Sequence, residues 1–226
     1  MKSWRMVSLG LACLGLASAS AFGFPIGNPI PRVDAGETVV EFAASGARRG
    51  MHSSQKREDE TFFLERETIA MGYALADHRL FGLSGGALAV EPDTAGLTSS
   101  AGTEFGAFYR HGVATEDRLK HGFLVMYRQG NTSGRDSLVT LDEYTGAYGL
   151  SLPASDRITV YAAALAQYLG ATLEHKATRA RFDSESRMDA GAYGGMEVRV
   201  TLHAVLGVEL IGGVETGGAA FFQLRF

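Results

Sequence analysis

A hydrolytic site needs a base beside a nucleophile, and histidine is the usual base. The chain has six histidines. His175 is followed within one polar stretch by Asp183 and Ser184, types that could serve as orienting acid and nucleophile. The spacing is unspecific, and a solvated loop histidine accounts for it better. No set of His, Asp and Glu has the spacing of metal ligands, and Cys13 is the single cysteine. The glycine clusters "GLSGG" (82–86) and "AYGGME" (192–197) sit inside alternating apolar stretches. Bending or close packing of a sheet suits them better than cradling a phosphate. These residues imply no cofactor and no resident metal.

A second set of charged residues is placed with more regularity. Glu41, Glu104, Glu143, Glu197 and Glu209, with Arg66, Arg110, Lys120, Arg128, Arg199 and Arg225, recur on one side of segments whose other side is apolar. Opposite signs are nearly balanced, which suits mutual pairing better than selection of one ion sign. Gly and Ala at other positions on the same side leave room for a thin thread of water.

The elements that must hold these charges alternate with period two. In 102–112 Phe105, Ala107 and Tyr109 oppose Glu104 and Arg110; in 119–130 Phe123, Val125 and Tyr127 oppose Lys120 and Arg128. In 190–201 Met196, Val198 and Val200 oppose Glu197 and Arg199; in 203–212 Leu206, Val208 and Leu210 oppose Glu209. Segment 38–45 sets Val40 and Phe42 against Glu41, and 61–76, 80–91, 138–152 and 157–175 also read as strands. Four short links, "ALADHRLF", "GVATEDRLK", "LPASDRITV" and "VRVTLHAV", alternate with the longer or more polar links 47–60, 92–101, 131–137, 176–187 and 213–217. Ten antiparallel strands follow from that count, with eight as the alternative if one weak hairpin is a loop excursion. Pro25, Pro29 and Pro31 precede the first strand, Pro92 falls in a link and Pro153 in a turn, so none breaks a ladder.

The two ends of the chain fix the solvent. "MKSWRMVSLGLACLGLASASA" has a basic start, an apolar run and a small-x-small site, which is the pattern of a secretory signal peptide over residues 1–21. A lipoprotein reading at Cys13 is poorer, because Gly10-Leu11-Ala12 is a weak lipobox. Cleavage removes Lys2 and Arg5 and takes the formal charge from −4 to −6, which argues against nucleic acid as a partner. It also removes the cysteine, so no disulfide is available for stability. No later stretch is long and apolar enough for a membrane helix. At the other end "AFFQLRF" places Phe222, Leu224 and Phe226 on one side and Phe221, Gln223 and Arg225 on the other. A terminal aromatic is stable without covering chain when lipid covers it.

That stretch resembles the C-terminal recognition signal of outer-membrane barrels, with Phe222, Leu224 and Phe226 as its assembly residues. The mature chain as a whole resembles small porin-like barrels of the OmpA/OmpX type. The resemblance implies an all-β, transmembrane antiparallel up-and-down β-barrel over residues 36–226, preceded by a periplasmic leader over 22–35. Its partners would be outer-membrane lipids and lipopolysaccharide, with the barrel-assembly machinery and periplasmic chaperones during biogenesis. A soluble lipocalin-like barrel or sandwich also alternates, but it needs charges outside and apolar residues within. No periplasmic domain is expected after the barrel.

With this topology His78, His111, His121 and His203 fall in or beside periplasmic turns, and only His52 and His175 point to the external end. Basic residues collect in two external links: Arg48, Arg49, Lys56 and Arg57, then Lys176, Arg179 and Arg181. They are candidates for lipopolysaccharide phosphates. The expected function is a non-enzymatic outer-membrane barrel, either a structural surface protein or a narrow passive pore with a charge-paired lumen. A surface adhesin, or a lipid A-modifying or proteolytic barrel, is the alternative.

Overall fold

The computed structural model describes residues 26–53, 59–92, 99–113, 118–176, 181–185, 188–213 and 215–226. The described residues form strands β1 (Thr38–Ser53), β2 (Asp59–Ala76), β3 (Arg79–Pro92), β4 (Ser100–Val113), β5 (Lys120–Ser133), β6 (Ser137–Pro153), β7 (Ile158–His175), β8 (Arg181–Glu185), β9 (Asp189–Arg199), β10 (Ala204–Gly213) and β11 (Glu215–Arg225), with no helix among them. Apart from β8 and β9, which do not pair with each other, each strand pairs antiparallel with the next, and β11 returns to β1 from Val39↔Arg225 to Arg49↔Glu215. β8 and β9 both follow β7, with Gly170↔Glu185 and Gln167↔Asp189 as flanking pairs. Both pair with β7 in successive stretches, so the two occupy one stave. The result is a closed up-and-down barrel of ten staves.

Alternation decides which side each residue takes, because successive side chains of a strand point to opposite faces. Glu41, Ser45 and Arg49 on β1 are buried, as are Arg66, Thr68 and Ala70 on β2, while Ile69, Met71, Tyr73 and Leu75 between them are exposed. The same holds around the ring: Phe105, Phe123, Val125, Tyr144, Tyr148, Leu150, Val208 and Leu210 all lie on the outer surface. A soluble barrel has the reverse arrangement.

The two rims differ. At one, β2 passes to β3 through Asp77 and His78, and β9 to β10 through residues 200–203; we call it the turn rim. At the opposite loop rim the ladders run further than sequence alternation indicates. β1 continues to Ser53 and β2 begins at Asp59, inside the expected link 47–60, and only residues 134–136 separate β5 from β6. The reason is that the outer face turns polar there, as at Arg48 and at Glu65 and Glu67, so the apolar-outside pattern fades while backbone pairing persists.

The wall is uneven in height. β1 to β7 have 14 to 18 residues, but β9, β10 and β11 have 10 or 11. Beyond the short β10–β11 hairpin β8 pairs directly with β1, through His52↔Glu185 and Ser53↔Ser184. The ring therefore has ten staves through most of its height and eight in a collar at the loop rim.

The leader, expected as a periplasmic segment over 22–35, is described from Ile26 on: Ile26, Asn28, Pro29, Ile30 and Val33 are buried, and residues 26–33 lie within the lumen at the turn-rim end. Its apolar side chains and two proline amides without N–H leave little that water would retain.

Candidate functional site

The lumen is the place where the inward charges meet, and they sort into layers. Toward the loop rim, Arg66 on β2 donates from Nε to Glu104 Oε2 on β4 and from Nη2 to Glu143 Oε2 on β6, both at 2.9 Å. Arg128 on β5 binds the other Glu143 oxygen at 2.5 Å. Thr68 and Thr145 donate to Glu104 and Glu143 at 3.2 Å. Glu143 is thus held by two guanidinium groups and a hydroxyl, which meets the demand of buried charges for both partners and hydrogen bonds.

Above this layer an apolar cluster fills the collar: Phe62, Leu64, Leu88, Val90, Val139, Leu141 and Leu169. Below it a larger cluster includes Leu80, Phe108, Leu124, Met126, Leu165 and, from the leader, Ile26 and Val33. The room expected beside inward glycines is taken. A Cβ on Gly82 would sit 2.3 Å from the Phe108 ring, one on Gly207 2.1 Å from the Phe221 ring, and one on Gly130 2.5 Å from Leu88. No water thread passes beside these positions.

At the turn-rim end the inward charges hold the leader. Glu209 on β10 accepts from Ile26 N at 2.7 Å, Gly27 N at 2.9 Å and Tyr161 Oη at 2.9 Å. Arg110 on β4 donates to the Ile26 carbonyl at 3.2 Å and faces Glu41 at 3.6 Å. Tyr193 donates to the Gly27 carbonyl at 3.1 Å. Glu197 accepts from Asn28 Nδ2 at 3.2 Å. Arg225 donates to the Arg32 carbonyl and to Gln223 Oε1, and Gln223 donates to Glu41 at 3.2 Å. His78, at φ 60°, faces the Pro31 carbonyl through Nδ1 at 3.0 Å and Lys120 Nζ through Nε2 at 3.2 Å. Because the ammonium can only donate, this network assigns the proton to Nδ1.

The structure therefore brings Arg66, Glu104, Arg128 and Glu143 together as one ion-paired layer and Glu41 with Arg110 as a second contact. Glu197 and Glu209 instead bind the leader's amides, and Lys120 and Arg199 are half-buried near the turn rim. Asn28, Tyr161, Tyr193 and Ser151 escape a sequence reading, since neutral side chains give no charge pattern. The signal available was the leader itself: uncharged and apolar from Ile26 to Pro31, it is a poor candidate for a solvated strand.

Elsewhere the predicted residues divide. Phe222, Leu224 and Phe226 face outward, with Phe226 71% exposed and its backbone paired to Thr38. Arg48 is exposed on the outer face. Arg49, expected to reach lipopolysaccharide, turns inward instead, is 1% exposed and lies 3.8 Å from Asp189, because it occupies the lumen register of β1. Lys176 binds Ser133 Oγ and the Gly134 carbonyl at the loop rim. Lys56, Arg57 and Arg179 lie outside the described residues, as does the side chain of Arg181. Register sets Asp183 opposite Thr172 and Ser184 opposite Ala171, three and four positions from His175 along β7. His111 and His121 face outward in an aromatic girdle: His111 stacks on Phe123 at 5.2 Å, and His121 bonds Tyr148 Oη at 2.8 Å.

No protein-family model matches the chain, and no curated protein matches it. Among solved structures it is similar to the outer membrane protease OmpT from Escherichia coli, at 9% identity and a TM-score of 0.41 over 91% of this chain and 96% of that one. It is also similar to a TodX monoaromatic hydrocarbon channel, a deltaS2 mutant, at 11% identity and a TM-score of 0.34 over 88% of this chain and 70% of that one. Likenesses at this level carry no assignment of activity.

Proposed function

We propose that the protein is a non-enzymatic bacterial outer-membrane β-barrel that serves as a structural surface protein with a sealed lumen. One observation carries this: the outside is apolar where the inside is packed shut. On β6 the outward residues from Tyr144 to Leu152 are aromatic, aliphatic or glycine. Nine strand residues tilted by about 40° cover roughly 23 Å, close to the apolar band of such barrels. Inside, Leu80, Leu88, Leu124, Leu169, Gln167 and Glu209 are at most 2% exposed, so side chains occupy the bore at every level. This favours the structural reading over a passive pore.

The collar supports an orientation with the loop rim outside and the turn rim in the periplasm. Outward residues there turn polar (Arg48, Glu65, Glu91, Thr103, Asn131, Asp142), as a wall leaving the hydrocarbon requires. Exposed Arg48 and Lys176 are then positioned for lipopolysaccharide phosphates. Phe222, Leu224 and Phe226 act in assembly through the barrel-assembly machinery. The histidines near the turn rim lie on the wrong side for chemistry at the cell surface, which supports the non-enzymatic reading.

Gel migration before and after boiling, together with planar-bilayer recording, tests this. Two gel positions and no steady conductance are expected. A single unchanged position with recovery in the soluble fraction excludes a membrane barrel; a large, steady, ion-selective conductance excludes the sealed structural role.

A further inference from the structure

The leader is held in an unusual way for part of a barrel. It pairs with no ladder, and apart from the His78 amide donating to the Val33 carbonyl at 3.0 Å its polar contacts with the wall come from side chains. Both backbone amides of Ile26 and Gly27 are captured by the two oxygens of Glu209, and both carbonyls by Arg110 and Tyr193. Every backbone polar group of that dipeptide thus has its own partner, the condition for burying peptide without a sheet.

The contacts also select sequence. Gly27 has φ +78°, and a Cβ there would lie 2.5 Å from Arg110 Nη2, so the position demands glycine. Asn28 donates to Ser151 Oγ and Glu197 Oε2 and accepts Ile30 N through Oδ1 at 3.0 Å. Pro29 and Pro31 remove two donors that the lumen would otherwise have to satisfy. Ile30 sits over Gly112 and Gly122, where a Cβ would lie 2.7 and 2.8 Å from its methyl and methylene carbons. The tether, Asp34 to Gly36, is exposed.

We propose that the turn-rim half of the lumen is a peptide-binding site for an extended Ile-Gly-Asn-Pro-Ile segment, occupied in cis by the chain's own leader and able to exchange it. The ligand class is a short, proline-containing peptide with an uncharged stretch matching residues 26–31, read mainly through its backbone. The ion-paired layer and the collar lie beyond it, so exchange opens a blind vestibule and no through-channel. This site is a property of the lumen and is independent of where the barrel resides.

The full chain, carrying a protease recognition sequence inserted between Asp34 and Ala35, is folded in detergent micelles and then cut. The nicked barrel should keep its unheated gel position, and a labelled synthetic peptide of residues 26–34 should enter it at the expense of the severed leader. Peptides with Gly27→Val or Asn28→Ala should compete about tenfold or more weakly, as loss of a buried hydrogen bond to a charged group requires. Collapse of the unheated position on cutting overturns the idea, since the leader is then core and not ligand. Retention of the severed leader with no exchange overturns it as well, and so does equal competition by the variant or scrambled peptides.

Discussion

Arg66 and Glu143 meet at 2.9 Å across the bore, although β3, β4 and β5 stand between their strands along the wall. A contact that spans the ring belongs to the interior as a whole and braces it. Because Arg128 shares the same carboxylate, Glu143 is the centre of that brace.

Replacing Glu143 with Ala should therefore cost more than replacing any rim charge. Losing one partner of a buried pair costs about 3–5 kcal/mol. The unheated gel position should give way at a lower temperature, with Glu143→Gln intermediate. Conductance should stay low, since the collar cluster and leader remain. A stable, conducting Glu143→Ala barrel contradicts the layered seal.

Gly112 and Ile30 offer a cleaner test of the leader's seat. Gly112→Ala places a methyl where Ile30 already lies, an overpacking cost of about 1–3 kcal/mol. Ile30→Ala alone loses buried surface, but in combination the two losses should be less than additive. Thermal unfolding of the four proteins measures this directly, and strict additivity means the two residues do not touch.

Phe221 and Phe226 should fail in different ways. The Phe221 ring covers Gly207 and is 4% exposed, so Phe221→Ser should lower the unfolding temperature of barrels that do assemble. Phe226 projects outward, so Phe226→Ser should lower the yield of assembled barrel and leave its thermal stability nearly unchanged. Identical profiles of yield and melting for both variants refute the division.

Orientation can be read with two single cysteines in a Cys13→Ser background. Arg135→Cys is exposed at the loop rim and Asp156→Cys at the turn rim. A membrane-impermeant maleimide on intact cells should label the first only; labelling of the second alone reverses the topology.

Much of this was legible in the sequence. Strand existence and facing follow from period-two alternation, since a one-residue slip would send Glu104 or Arg128 to the outer face. The ring size followed from counting turns. Partner choice did not, because alternation fixes a side without fixing a level. Arg199 neighbours Glu197 in sequence, yet Glu197 binds Asn28. The docking of the leader was invisible for a related reason: a segment held by contacts scattered over β4, β6, β9, β10, β11 and the β2–β3 turn has no periodicity of its own. The fate of the inward glycines was equally hidden, as it depends on which ring on the next strand leans over them.

The change from ten staves to eight makes the wall a taper. Two fewer strand spacings shorten the circumference by about 9–10 Å, so the collar is the neck of a funnel whose wide mouth faces the leader. The short β10–β11 hairpin acts as a wedge driven into a seam between β8 and β1, and that seam is where the girth of the barrel is set.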